Sequence, residues 1–187
     1  MSDPSWASPH SPSTLSEIRL EMGAFRRYAS SFSSARERTF SYEIQDTSFS
    51  LREGLAEYYS SDPGLLAPAD ISEDMAIGLR AHDASHVVFG CDTSVRGEVA
   101  LARWSLFGAK GATRLYLSGI RSRETRFLFS DFFRKLNMSN IPHAAVDGLR
   151  ALIRSFRMKT SWPSLKWEQY LDRPLADIRR EFGIRVV

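Results

Sequence analysis

Residues 75–98 read MAIGLRAHDASHVVFGCDTSVRGE, and the fold class turns on how this stretch is parsed. Met75, Leu79, His82, His86 and Phe89 follow one another at steps of 4, 3, 4 and 3. That spacing sets all five on one face of an α-helix. Gly90 follows where such a helix would stop, because glycine takes the left-handed conformation that closes a helix. Asp92, Thr93 or Ser94 can cap a second helix, which the period places with Val95, Val99, Ala102 and Leu106 on its buried face. The link of Gly90–Thr93 is short, so the two helices are expected to run as antiparallel neighbours.

The same period recurs outward in both directions. Leu15, Ile18, Met22, Phe25, Ala29 and Phe32 form one apolar stripe, and Leu51, Leu55, Tyr58 and Tyr59 suggest a short helix closed by the Asp62-Pro63-Gly64 turn. Residues 33–46 are polar and read as a loop. Downstream, Leu128, Phe129, Phe132, Phe133 and Leu136 mark a helical region that Ile141-Pro142 breaks. Leu149, Leu152, Ile153 and Phe156 mark the next, and short helical pieces follow around Trp167 and Leu171 and over Leu175, Ile178 and Phe182. No convincing strand alternation is present. The expected fold class is all-α, a single-domain multi-helix bundle with an apolar tunnel or groove between helices. Residues 1–14 are expected to be a disordered Ser/Pro-rich tail and residues 15–187 the helical domain.

Composition narrows the function. Hydrophobic residues make up 43% and charged residues 25% of the 187, which suits a globular chain with a sizeable core. No apolar run approaches the roughly 20 residues of a membrane-spanning helix, and the N-terminal residues resemble neither a secretory signal nor a mitochondrial presequence. Cys91 is the one cysteine, which excludes an internal disulfide and suits a reducing, cytoplasmic setting. Net charge is +3, yet residues 103–187 hold 17 Lys/Arg against 7 Asp/Glu, whereas residues 1–102 hold 8 against 15. The plain reading of the basic half is a solvated helical surface; anionic lipid heads or an acidic partner are the functional one. Nucleic-acid binding is not expected, because no recognised module accompanies the basic residues.

The candidate chemistry is His82-Asp83-Ala84-Ser85-His86, then eleven residues, then Glu98. Histidines four apart on a helix can converge on one ion. These two lie in the apolar stripe rather than on a solvent face, with Asp83 about 100° further round at its edge. Glu98 stands at the border of the next helix's buried face. A lone core histidine is more often a packing residue than a ligand, and a buried carboxylate is costly unless paired or coordinated. Two carboxylates and two histidines directed at one place therefore point to a shared cation, with His82, Asp83, His86 and Glu98 as its ligands. Mixed N and O donors suit zinc first, with iron or manganese as alternatives. Cys91, His143 and the Arg121, Arg123 and Arg126 cluster carry plainer readings as turn, helix-start and surface residues. A metal-dependent phosphohydrolase is disfavoured, since that chemistry normally needs a further upstream histidine and no histidine lies between His10 and His82.

With those residues set out, the pattern resembles the ubiquinone (coenzyme Q) biosynthesis protein four family. Its hallmark is similar to His-Asp-x-x-His, eleven residues and Glu98 preceded by Gly97, followed by Val99-Ala100-Leu101-Ala102-Arg103-Trp104. A second likeness is Trp167-Glu168-x-Tyr170-Leu171 with Pro174-Leu175-x-x-Ile178-Arg179-x-Glu181-x-Gly183-Ile184. Residues before 70 depart from the family pattern, as a divergent bacterial member would. The resemblance implies a helical fold and a divalent metal at His82, Asp83, His86 and Glu98. It implies a metal-dependent, oxidative decarboxylase that removes the C1 carboxylate of a prenylated 4-hydroxybenzoate-type ring and installs a hydroxyl. It implies as partners a prenylated aromatic or isoprenoid lipid, peripheral contact with the inner face of a membrane and other quinone-biosynthesis proteins; a homodimer is compatible with the sequence, which does not fix the oligomeric state. The alternative is a non-catalytic lipid-binding scaffold with a structural metal.

Overall fold

The computed structural model describes residues 40–61, 73–111 and 141–187. Among them, five α-helices dominate: α1 (Leu51–Ser61), α2 (Glu73–Phe89), α3 (Val95–Phe107), α4 (Ile141–Ser155) and α5 (Leu175–Phe182). The helical class expected from the periodicity holds. The stripe at 15–32, the 1–14 tail, the Asp62-Pro63-Gly64 turn, the 128–136 region and the Arg121, Arg123 and Arg126 cluster lie outside the described residues.

Helix α2 ends where the sequence places its stop. Gly90 adopts φ +65°, its N–H donates to the Val87 carbonyl, and the Cys91 N–H donates to the His86 carbonyl at 2.9 Å. These two bonds close the helix with its last carbonyls satisfied. Helix α3 starts at Ser94, whose Oγ accepts from the Gly97 N–H. Asp92 Oδ1 in turn accepts from the Ser94 N–H and hydroxyl. Gly97 has no alternative here, because a Cβ would stand 2.1 Å from the Asp92 carbonyl oxygen.

The core gathers α1, α2, α3 and α5. Leu51, Leu55 and Tyr58 from α1 meet Val87, Val88 and Phe89 from α2, Leu101 and Trp104 from α3, and Leu175, Ile178 and Phe182 from α5. Phe89 and Trp104 stack at 4.7 Å between ring centres. The first turn of α1 is closed from outside: the Leu51 and Arg52 N–H groups donate to the carbonyls of Arg173 and Leu171, which answers the orphan donors of a helix start.

Two expectations are corrected and two details are added. The buried face of α3 carries Val95, Gly97, Ala100, Leu101, Trp104 and Ser105, with Leu106 exposed. The stripe through Val99, Ala102 and Leu106 is thus rotated, because Trp104 fills the space against Phe89. On α4 and just past its end, Leu149 and Phe156 are 57% and 71% exposed, and Ile153 is exposed too. That helix instead buries Ala144, Asp147, Gly148, Ala151 and Ser155 against α3. Small side chains let the two backbones approach: a Cβ on Gly148 would stand 2.9 Å from Val99 Cγ1. Finally, strand is present, as β1 (Ala109–Lys110) pairs in parallel with β2 (Trp162–Pro163), too short to show alternation. The segment read as loop also holds a 3₁₀ turn, Ser41–Glu43, whose Tyr42 is buried.

Arg179 ties these elements together. It is fully buried, and its guanidinium donates to the carbonyls of Val87 and Val88 at the end of α2, and of Tyr42, Ile44 and Gln45. A buried charge is tolerated when its donors are all met, and a cation at a helix C-terminus is favoured by the helix dipole. Burial lowers its pKa to about 10, so it stays charged at neutral pH.

Candidate metal centre

The last three turns of α2 and the first turn of α3 present the site. His82 and His86 stand one turn apart with ring centres 4.6 Å from each other. Glu98 reaches across from α3: its Oε1 is 2.9 Å from His86 Nε2 and its Oε2 is 3.6 Å from His82 Nε2. One donor atom from each of His82, His86 and Glu98 lies within 4.8 Å of the others. This group could hold a metal ion.

Three features make the donor set fit a cation. First, both ring Nδ1 atoms face protein acceptors. His86 Nδ1 is 3.1 Å from the Cys91 carbonyl oxygen, and His82 Nδ1 is 3.5 Å from Asp83 Oδ1. An imidazole whose Nδ1–H is committed to an oxygen, as the Cys91 carbonyl requires of His86, offers its Nε2 lone pair to a metal. Second, His86 Nε2 and Glu98 Oε1 are at contact distance yet not aligned for a hydrogen bond with each other. Both atoms are buried without a hydrogen-bond partner, so both could serve a shared cation. Third, two donors each about 2.0–2.1 Å from one ion, subtending about 90–120°, stand roughly 2.9–3.6 Å apart, which is the range seen between Glu98 and the histidines.

Asp83 stands beside this group rather than within it. It is buried, and the Tyr59 hydroxyl donates to its Oδ2 at 3.0 Å. Asp83 thus meets Tyr59 through a hydrogen bond and stands beside the His82 ring at 3.5 Å. Burial, reinforced by the Asp83 charge, raises the Tyr59 pKa far above its ordinary value, so Tyr59 remains a donor. Tyr58 stacks on the His86 ring at 5.3 Å and closes its inner side. Burial raises the Glu98 pKa, but His86 and His82 beside it outweigh that and hold it at about 2. The centre is asymmetric: the His86 side chain is fully covered while that of His82 is 20% exposed.

The sequence pointed to His82, His86 and Glu98 through their spacing and to Asp83 through its neighbours. It did not single out Tyr59, the Cys91 carbonyl or Arg179. Tyr59 could have been found as a polar aromatic beside Tyr58 on the apolar stripe of α1. A backbone carbonyl leaves no residue-type signal. Set against protein-family models, curated proteins and solved structures, the chain matches none of them.

Proposed function

We propose that the chain is a metal-dependent protein of ubiquinone (prenylquinone) biosynthesis, acting in C1 decarboxylation and hydroxylation of a prenylated 4-hydroxybenzoate-type ring, a two-electron oxidation in which dioxygen is the oxidant. The observation that carries the metal reading is that one donor atom each from His82, His86 and Glu98 lies within 4.8 Å of the others. The pathway reading rests on the sequence resemblance, and one packing fact supports it. The two stretches that carry the likeness meet in space, since Arg179 of the second holds the end of the helix that bears His82 and His86.

A His₂/carboxylate set suits zinc, with iron or manganese as alternatives. Such an ion supplies Lewis-acid stabilisation of negative charge developing at the carboxyl-bearing carbon. The chain's own residues supply the rest. The Cys91 carbonyl and Asp83 fix the two rings, Tyr59 fixes Asp83, and Tyr58 keeps water from the His86 side. Glu98 contributes one negative charge, so a divalent cation leaves the three-donor set with a net positive charge for an anionic group such as a ring carboxylate. The partial exposure of His82 favours catalysis over a purely structural metal, because catalytic centres keep an accessible position.

No helix among the described residues is long and apolar enough to cross a membrane. Peripheral contact is part of the proposal, and the exposed Val146, Leu149 and Ile153 on α4, with Phe156 just past its end, support it. An apolar groove between helices would house the isoprenoid tail. The test is elemental analysis with lipid mass spectrometry on purified protein, then incubation of metal-loaded protein with a prenylated 4-hydroxybenzoate. About one ion per chain and loss of the carboxyl group are expected; a metal-loaded protein that leaves the substrate intact would return the scaffold reading.

A further inference from the structure

We propose that Arg154, Arg157 and Arg185 form a binding site for a phosphate-bearing anion, separate from the metal centre. The three guanidinium-bearing residues and Gly183 line one surface concavity of about 530 Å³. Arg154 comes from α4, Arg157 from the turn that follows it, and Arg185 from the stretch after α5.

The concavity is a built feature. Gly183 takes φ +70° and turns the chain back after α5, and a Cβ there would stand 2.8 Å from the Lys159 backbone nitrogen. Gln45 then clips the returning strand at two points: its Nε2 donates to the Ile184 carbonyl, and its Oε1 accepts from the Val186 N–H. Arg154 is anchored to the same strand through Nη1, which donates to the carbonyls of Arg185 and Val186. Its other guanidinium donors make no hydrogen bond among the described residues.

What marks this cluster among the described residues is three arginines without a carboxylate partner around one hollow. Arg52, Arg96, Arg150, Arg173 and Arg180 each pair with a carboxylate. Among the described residues, Arg154, Arg157 and Arg185 pair with none. Three uncompensated guanidiniums around one hollow repel one another unless an anion joins them, and their planar forks match the several oxygens of a phosphate group. Ile153 and Phe156, both exposed, flank Arg154 and Arg157 in sequence. The phosphate could therefore be that of a soluble ester or of a lipid headgroup.

The experiment titrates the full chain with inorganic pyrophosphate by calorimetry at low ionic strength, and in parallel sediments it with phosphatidylcholine vesicles with and without phosphatidic acid. The variants are Arg157→Gln/Arg185→Gln, at two exposed positions, and the charge-matched control Arg52→Gln/Arg180→Gln. Saturable pyrophosphate binding with a Kd of about 1 mM or tighter, weakened at least about tenfold in the first variant and not in the control, identifies a soluble phosphate ligand. Vesicle binding that needs phosphatidic acid and shows the same variant dependence, without saturable pyrophosphate binding, identifies a headgroup. No saturable binding of either probe, or equal loss in both variants, overturns the site. Metal content is expected to be unchanged in both variants, so failure here is distinct from failure of the metal reading.

Discussion

Glu98 Oε1 stands 2.9 Å from His86 Nε2, so that a carboxylate at the start of α3 meets an imidazole near the end of α2. If a cation joins them, removing either donor removes it. His86→Ala and Glu98→Gln are each expected to lower bound metal from about one ion per chain to near zero, read by elemental analysis. Retention of the wild-type metal content in either variant would refute the assignment.

Asp83 tests a finer point. As the group that orients His82 it should tune the affinity rather than create it. Asp83→Asn and Tyr59→Phe are expected to weaken metal binding by about 10–100-fold, measured by competition with a chelator. Complete loss in Asp83→Asn alone would make Asp83 a ligand instead.

Gly97 is held by the Asp92 carbonyl packed where its side chain would be. Gly97→Ala must push the start of α3 away and carry Glu98 with it. We expect a loss of about 1–3 kcal/mol in chemical denaturation together with weaker metal binding. An alanine variant with unchanged stability would show that the α3 start is not so constrained.

Arg179 donates only to backbone carbonyls. Truncation to alanine leaves those acceptors buried and unmet, so Arg179→Ala should cost about 3–5 kcal/mol. Lysine keeps the charge but lacks the fork and should restore only part of it. Thermal and urea unfolding read both.

Glu43 sets a pH dependence. Burial, with Asp92 and Glu57 nearby, raises its pKa from 4.5 to about 7, against a lowering hydrogen bond from the Phe40 N–H. The native state therefore holds this proton more tightly than the unfolded chain. Its contribution is full below about pH 4.5 and is lost as pH rises through about 7. Glu43→Gln should remove that slope and add about 1 kcal/mol at pH 8, after discounting for solvent screening. A variant with the parent's pH profile would exclude this carboxyl as the source.

Periodicity located α2, its stop at Gly90 and the pairing of His82 with His86, because a helix repeats at a fixed angle and glycine marks its end. It misplaced the inward face of α3 and α4. A large apolar side chain is ordinarily a core residue, but close approach of two helices selects small ones, and Gly148 and Ala151 won over Leu149 and Ile153. The ion donors were legible as ionisable groups on apolar faces. Their support was not, since the Cys91 carbonyl belongs to every residue type alike and Arg179 is more than 80 positions from the histidines it steadies.

That separation has a consequence for biogenesis. The three side chains that could hold an ion have all been made once residue 98 is joined, yet the guanidinium that locks the end of their helix arrives only with residue 179. Contacts so distant along the chain close late. A growing polypeptide would thus pass through a period in which it can meet metal but not hold it rigidly, and stable loading would wait for synthesis to reach the far segment.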